Sequence, residues 1–269
     1  MKKLRFFGIV LFIFVLCLGS LGAQSLKGMS LNGSTGIYSI PSGRIGWERT
    51  SDFGLDLGYH AIFTDGYATH IPKVAASLFK WVELSAAFDI QPEKFRGSNG
   101  TDFIFGAKLQ LPLKKTALGI GGNFQSLNLG RDPGKYNAGQ IYVAATYAGS
   151  FFDWPAETTV VLGKTFIEKG RGWNDSDIDY GMGFDMVLLP DTFEGIVHWC
   201  LDFANFSYSV EPVGADSWRR GVLNTGLRFD LSRIKTLSKF KFVIDVLITD
   251  AFDDNRAFSI GLVFGVPIL

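Results

Sequence analysis

The chain has 269 residues with 26 basic and 26 acidic side chains, so its formal net charge is zero, and it carries 32 glycines, 25 phenylalanines and 2 cysteines. Zero net charge excludes the basic excess that a nucleic-acid surface requires, and one cysteine beyond the leader, Cys200, excludes an intramolecular disulfide in the mature chain. Past the leader, no stretch approaches the roughly 18 uninterrupted apolar residues of a membrane-spanning helix.

Residues 1–23 have the make-up of an export signal. Lys2, Lys3 and Arg5 supply a positive start, Phe6 to Leu18 an apolar run, and Gly19 to Ala23 a small-residue exit, so removal after Ala23 is predicted. A lipoprotein would instead need Cys17 as the acylated residue, and the bulky Leu16 before it argues against that. Residues 24–51 follow as a separate element. Leu31 to Ile40 alternates weakly, but counting it would make the strand number odd and reverse the side of every loop. It is therefore expected in the lumen as a partial plug, or along the periplasmic rim, with Gly33, Gly36, Pro41 and Gly43 suited to turns and close packing.

From residue 52 to 269 short segments alternate apolar and polar residues. Phe53, Leu55, Leu57, Tyr59 and Ala61 interleave with Gly54, Asp56, Gly58 and His60, and successive strand side chains point to opposite faces, so one face is greasy and the other polar or small. Strands are predicted near 52–63, 69–79, 81–91, 101–112, 116–128, 138–149, 156–167, 176–189, 194–208, 219–232, 240–250 and 255–267. Behind an export signal, that repeat predicts an all-β fold: one antiparallel, up-and-down transmembrane barrel of about 12 strands, with 10 and 14 as alternatives.

The connections alternate in character. Lys80, Leu113 to Lys115, Ser150 to Pro155, Pro190 to Phe193 and Arg233 to Lys239 are mostly tight. Pro92 to Gly100, Leu129 to Asn137, Glu168 to Asp175, Ser209 to Trp218 and Ala251 to Asp254 are wider and more polar, with Thr64 to Ala68 a small first member. Short periplasmic turns and longer outer loops alternate in this way. Trp81 and Trp154, beside proposed periplasmic turns, suit the headgroup level.

Parity also assigns the faces. Val82, Leu84, Ala86, Phe88 and Ile90 are expected against lipid, with Ser85, Ala87 and Gln91 inward. The lumen-lining candidates are Asp56, His60, Glu83, Asp89, Asp102, Lys108, Asp202, Arg228, Asp230, Lys241 and Asp245, with Asp185 on the same face. Charges of both signs inside a barrel must pair or meet water. Inward glycines such as Gly54, Gly58, Gly106, Gly119, Gly181, Gly183, Gly226 and Gly261 leave room for a narrow pore, or else accommodate curvature or residues 24–51.

Asp56 with His60, and His198 with Asp202, look like catalytic pairs. Positions four apart on a strand are roughly 13 Å apart, too far to touch within each pair, and spacing fixes no serine partner; a hydrolase would need all four to converge near one rim. Oxygen-rich groups, Asn174, Asp175, Asp177 and Asp179 in one outer loop and Asp250, Asp253 and Asp254 in another, are weak candidates for a calcium-like cation, the first lacking an EF-hand glycine and glutamate. Gly119 to Gly122 sits inside a strand and opens no helix, so it is no dinucleotide fingerprint. Arg171 between glycines, and Arg219-Arg220 beside Trp218, are exposed spots for sugars or phosphates.

The stretch Gly33-Ser34-Thr35-Gly36-Ile37-Tyr38-Ser39-Ile40-Pro41-Ser42-Gly43-Arg44, followed by the strand ending Leu57-Gly58-Tyr59, resembles the opening of YjbH-like outer-membrane proteins, and Trp81-Val82-Glu83-Leu84 is similar to their next block. Gly43 stands where alanine is usual. The specific likeness covers residues 33–90, and family members are often much longer. The resemblance implies an outer-membrane barrel tied to exopolysaccharide export or display, with no enzymatic activity and no assigned site.

The expected protein is thus a non-enzymatic barrel of the bacterial outer membrane, without cofactor or metal. Its expected partners are outer-membrane lipid, polysaccharide or small polar solutes, and the barrel-assembly machinery during insertion. The rival readings are a small general diffusion porin, an outer-membrane hydrolase, and a soluble all-β sandwich.

Overall fold

The computed structural model describes residues 27–48, 51–64, 66–91, 100–113, 115–128, 135–167, 178–206, 221–252 and 256–268. Twelve strands run in sequence: β1 (Phe53–Thr64), β2 (Tyr67–Leu78), β3 (Val82–Gln91), β4 (Gly100–Pro112), β5 (Thr116–Asn128), β6 (Lys135–Phe151), β7 (Trp154–Ile167), β8 (Asp179–Val187), β9 (Val197–Ala204), β10 (Val222–Asp230), β11 (Lys241–Thr249) and β12 (Ala257–Pro267). Each pairs antiparallel with its neighbours in sequence, and β1 pairs with β12 from Gly54↔Pro267 to Phe63↔Phe258. The sheet closes on itself, so no strand edge is left with unpaired N–H and C=O groups. The fold is an all-β barrel of 12 strands.

One end, here the near end, holds residues 51 and 268 and the short connections. Phe79 and Lys80 (φ 54° and 61°) and Phe152 and Asp153 (φ 50° and 68°) make two-residue turns with both residues left-handed, the geometry whose twist matches a hairpin's strands. The β8–β9 connection contains a single helical turn, α1 (Pro190–Phe193), and the β10–β11 connection a 3₁₀ turn at Leu231–Arg233. At the far end β1 and β2 join tightly. The other far-end connections lie largely outside the described residues. With them go the oxygen-rich positions Asn174, Asp175, Asp177, Asp253 and Asp254, and the basic and aromatic positions Arg171, Trp218, Arg219 and Arg220.

Burial follows the two-residue period. Along β3, Glu83, Ser85, Ala87, Asp89 and Gln91 are buried, whereas Leu84 and Ile90 are exposed; along β12, Ala257, Ser259, Gly261, Val263 and Gly265 alternate with exposed Phe258, Ile260, Leu262 and Phe264. The exposed set continues round the wall through Leu57, Phe105, Ile120, Phe124, Ile141 and Leu162. A soluble sandwich would hide that set; here it forms the outside.

The inside is filled by the chain's own amino-terminal part. From Met29 to Trp47 every residue is buried except the half-buried Leu31, and side chains of β1, β2, β3, β7, β9 and β10 all reach it, which places it within the barrel. It is a nest of tight turns with two isolated bridges, Met29↔Thr35 and Gly36↔Pro41. Its own backbone bonds, such as Leu31 N–H to Tyr38 O (2.8 Å) and Ser42 N–H to Thr35 O (2.9 Å), satisfy part of it. The wall supplies the rest.

Candidate functional site

The site is the lumen and the segment within it, and glycines let them approach. A Cβ at position 43 would lie 2.2 Å from Ala117 O, and one at position 54 would lie 2.3 Å from the Trp47 indole. No other residue type fits at either place without displacing backbone or ring.

Wall carboxylates hold the segment by its donors. Asp202 on β9 accepts the backbone N–H of Tyr38 (2.8 Å) and of Ser39 (2.7 Å) on one oxygen and the Ser39 hydroxyl (2.9 Å) on the other. Glu83 on β3 accepts Thr35 N–H (2.9 Å), the Thr35 hydroxyl (2.5 Å) and Gly46 N–H (3.1 Å), and pairs with Lys108 at 2.9 Å. Glu157 on β7 takes the Arg44 guanidinium at 3.0 Å, and Arg44 also meets Glu48 at 2.8 Å. Each carboxylate meets donors of the segment, which is what tolerating a buried charge requires.

Wall cations take the segment's carbonyls. Lys73 donates to Met29 O (3.1 Å) and Ser30 O (3.0 Å), Lys108 to Thr35 O (3.1 Å), and Arg228 to Ile37 O (3.0 Å). Arg228 is the largest fully buried side chain among the described residues. It forks onto Asp245 (2.7 and 3.1 Å) and reaches Asp185 at 2.8 Å.

Glycines also connect strands that are not neighbours. Lys241 on β11 and Asp56 on β1 are separated by β12, yet meet at 2.7 Å because Gly265 is the residue between them in register. Gly261 occupies the same place between Asp245 and His60, 3.7 Å apart. A Cβ there would lie 2.3 Å from His60 Nε2.

The tip of the segment is apolar. Ile37, Tyr38 and Ile40 pack into one cluster with inward-facing Ile62, Ile71, Ile104, Leu247 and Phe206, most of them towards the far ends of their strands. This collar surrounds the tip with hydrocarbon. At the near end Lys27 donates to Ser232 (2.5 Å) and lies 3.5 Å from Asp230. Burial pushes the Lys27 ammonium below the usual lysine range, against the pull of Asp230.

All eleven predicted lumen residues are buried on the inward face. Asp56 also accepts Trp47 Nε1 (2.9 Å), His60 Nδ1 faces Lys73 Nζ at 2.7 Å, and Asp89 and Asp102 stand opposite one another on β3 and β4. Asp230 caps the 3₁₀ turn after its strand by accepting Ser232 N–H (3.1 Å).

The four residues that suggested catalysis do not assemble. Asp56, His60 and Asp202 pair with Gly265, Gly261 and Asn224, three different rows of the sheet. His198 bonds Asp185 (2.5 Å) through Nδ1 and faces Gly195 O (3.0 Å) through Nε2, so neither nitrogen is free to accept a substrate proton. Asp179 is bonded by Gln140 and Thr165, and Asp250 is buried at the far end.

No protein-family model and no curated protein matches the sequence. Among solved structures, the chain is similar to a KdgM porin in complex with disordered oligogalacturonate, with TM-score 0.50 and 8% identity over 80% of this chain and 99% of that chain. The KdgM porin alone gives 0.49 and 8% over 78% and 98%, and the Acinetobacter baumannii outer membrane protein Omp33 gives 0.40 and 10% over 81% and 98%. What is shared is the fold. These neighbours are outer-membrane barrels.

Sequence reasoning missed the apolar collar. Its signal was nonetheless present, since Ile62, Ile71, Ile104 and Leu247 each occupy the inward parity of a strand. An apolar side chain on that face has no place in a water-filled pore and marks where something dry packs. Glu157, Thr146 and Gln110, which bind Arg44, Gly43 N–H and Ile45 N–H, were missed too. They are ordinary polar inward residues, and nothing in their spacing distinguishes them.

Proposed function

We propose that this chain is a non-enzymatic outer-membrane barrel of the bacterial cell envelope, that residues 27–48 hold its lumen closed, and that it serves the export or display of surface polysaccharide. The observation that carries closure is the occupied lumen: a buried segment tied to the wall on every side and sealed at its tip by the collar. A channel open to general diffusion would present those side chains to water. Outer-membrane placement is supported by the apolar outside, which at this extent is sequestered by lipid rather than water, and by the neighbours being outer-membrane barrels. In that membrane the near end faces the periplasm, and insertion calls on the barrel-assembly machinery.

The polysaccharide role draws on the YjbH-like resemblance of residues 33–90. A porin of the same fold occurs in complex with oligogalacturonate, which makes sugar chains a reasonable class of cargo. The diffusion porin is the same barrel with its segment withdrawn. Planar bilayers separate the two: the full chain is expected to give no stable unitary current, and deletion of Leu31 to Gly43 to give one. Steady current from the full chain would favour the porin. A chromosomal deletion tests the cargo, with loss of cell-surface polysaccharide expected; an unchanged surface would remove that role.

A further inference from the structure

We propose that, when residues 27–48 leave the lumen, the barrel passes small cations in preference to anions, and that Glu83, Glu157 and Asp202 set that preference. This rests on the reading that the segment closes the lumen.

Among the described residues, the strands turn ten carboxylates and four lysine or arginine side chains inward, and counting both inward histidines as cations still leaves the acids in excess. Their placement is uneven along the barrel. Lys73, Lys108, Arg228 and Lys241 lie at mid-barrel or in the near half. The far half holds Asp89, Asp102, Asp179 and Asp202 and, among the described residues, no inward lysine or arginine.

The segment behaves as a bound donor set on this acidic wall. It brings backbone N–H groups and hydroxyls to Asp202 and Glu83, and a guanidinium to Glu157. Withdrawing it strips donors from all three carboxylates, and the Trp47 indole N–H from Asp56. Three of the four wall cations, in contrast, keep carboxylates on the wall: Lys108 with Glu83, Lys241 with Asp56, and Arg228 with Asp185 and Asp245. Among the described residues, the wall of the emptied lumen is therefore negative, most of all along its far half. A narrow passage with low-dielectric walls focuses such a field and concentrates counter-ions, and inward carboxylates are how cation pathways discriminate. An acidic oligosaccharide, oligogalacturonate included, would meet repulsion there, which narrows any sugar cargo of this chain to neutral or amino-bearing chains.

The test uses two purified proteins in planar bilayers under a potassium chloride gradient: the full chain with Gly43→Trp, and a chain lacking residues 28–47. At position 43 even a Cβ would lie 2.2 Å from Ala117 O, so the indole expels the segment while the wall sequence is unchanged, and closure is still read if the deleted barrel does not assemble. Both are expected to conduct with reversal potentials displaced toward the potassium value. Adding Glu83→Gln, Glu157→Gln and Asp202→Asn is expected to lower the potassium-to-chloride permeability ratio several-fold. Current with a reversal potential at zero or displaced toward chloride overturns the inference and leaves closure standing. An inserted barrel lacking residues 28–47 that carries no current overturns closure itself, as does steady current from the unaltered full chain.

Discussion

At the scale of single residues, the arrangement turns on where a side chain is missing. Gly261 and Gly265 on β12 let β11 and β1 exchange charge contacts across the strand between them, so these glycines serve the polar network as much as the curvature of the sheet. Gly261→Ala would press a methyl against His60 Nε2 and push the imidazole off Asp245. Overpacking of this kind costs about 1–3 kcal/mol. A matching loss is expected in urea unfolding followed by the heat-modifiable shift on gels, and Ala86→Gly on the half-buried outer face gives the comparison for an outward position. The partners of the inward charges were not legible in the sequence, since Lys241 meets Asp56 and Arg228 meets Ile37 O through register and through a segment that no strand pattern locates. That the charges face inward was legible, because parity alone decides it.

For the elements, alternation located the strands closely from β1 to β7 and again at β11 and β12. It overran at the near ends of β8, β9 and β10, while positions 176–177, 207–208 and 219–220 of those predictions lie outside the described residues. Leu188 and Leu189 keep the apolar rhythm past Val187, but Leu189 is left-handed (φ 42°) and Pro190 has no N–H, so the ladder stops. Glu194 and Gly195 (φ 52° and 77°) delay the start of β9, and the Asp230 cap ends β10. Backbone geometry overrode side-chain pattern at each place. The tight near-end turns were legible as turns but not by residue type, since Phe152 and Asp153 hold positive φ without the usual asparagine or glycine. Asp153→Gly is expected to raise stability by up to about 1 kcal/mol by removing a left-handed β-carbon, read as a higher urea midpoint. Lipid-facing register has its own test. Leu262 lies mid-strand and exposed on β12, and Leu262→Arg should cost about 2–4 kcal/mol at mid-depth, measured by folding into vesicles; a cost near zero would move that face out of the membrane.

For the whole molecule, the barrel and the segment form one buried polar system. The wall carries more acid than base, the segment brings N–H donors and Arg44, and its apolar tip meets the collar, so the closed state is chemically complementary from near end to tip. The measurement that tests this most directly places cysteines at Ser39 and Asn224, whose side chains lie 3.2 Å apart, in a chain with Cys200→Ser, and treats cells with a short bifunctional thiol reagent. With the segment in the lumen, the two positions should cross-link in the intact outer membrane, and the joined protein should still show the unheated gel migration of a folded barrel. Failure to cross-link in correctly folded protein would put the segment outside the lumen and contradict the closed barrel.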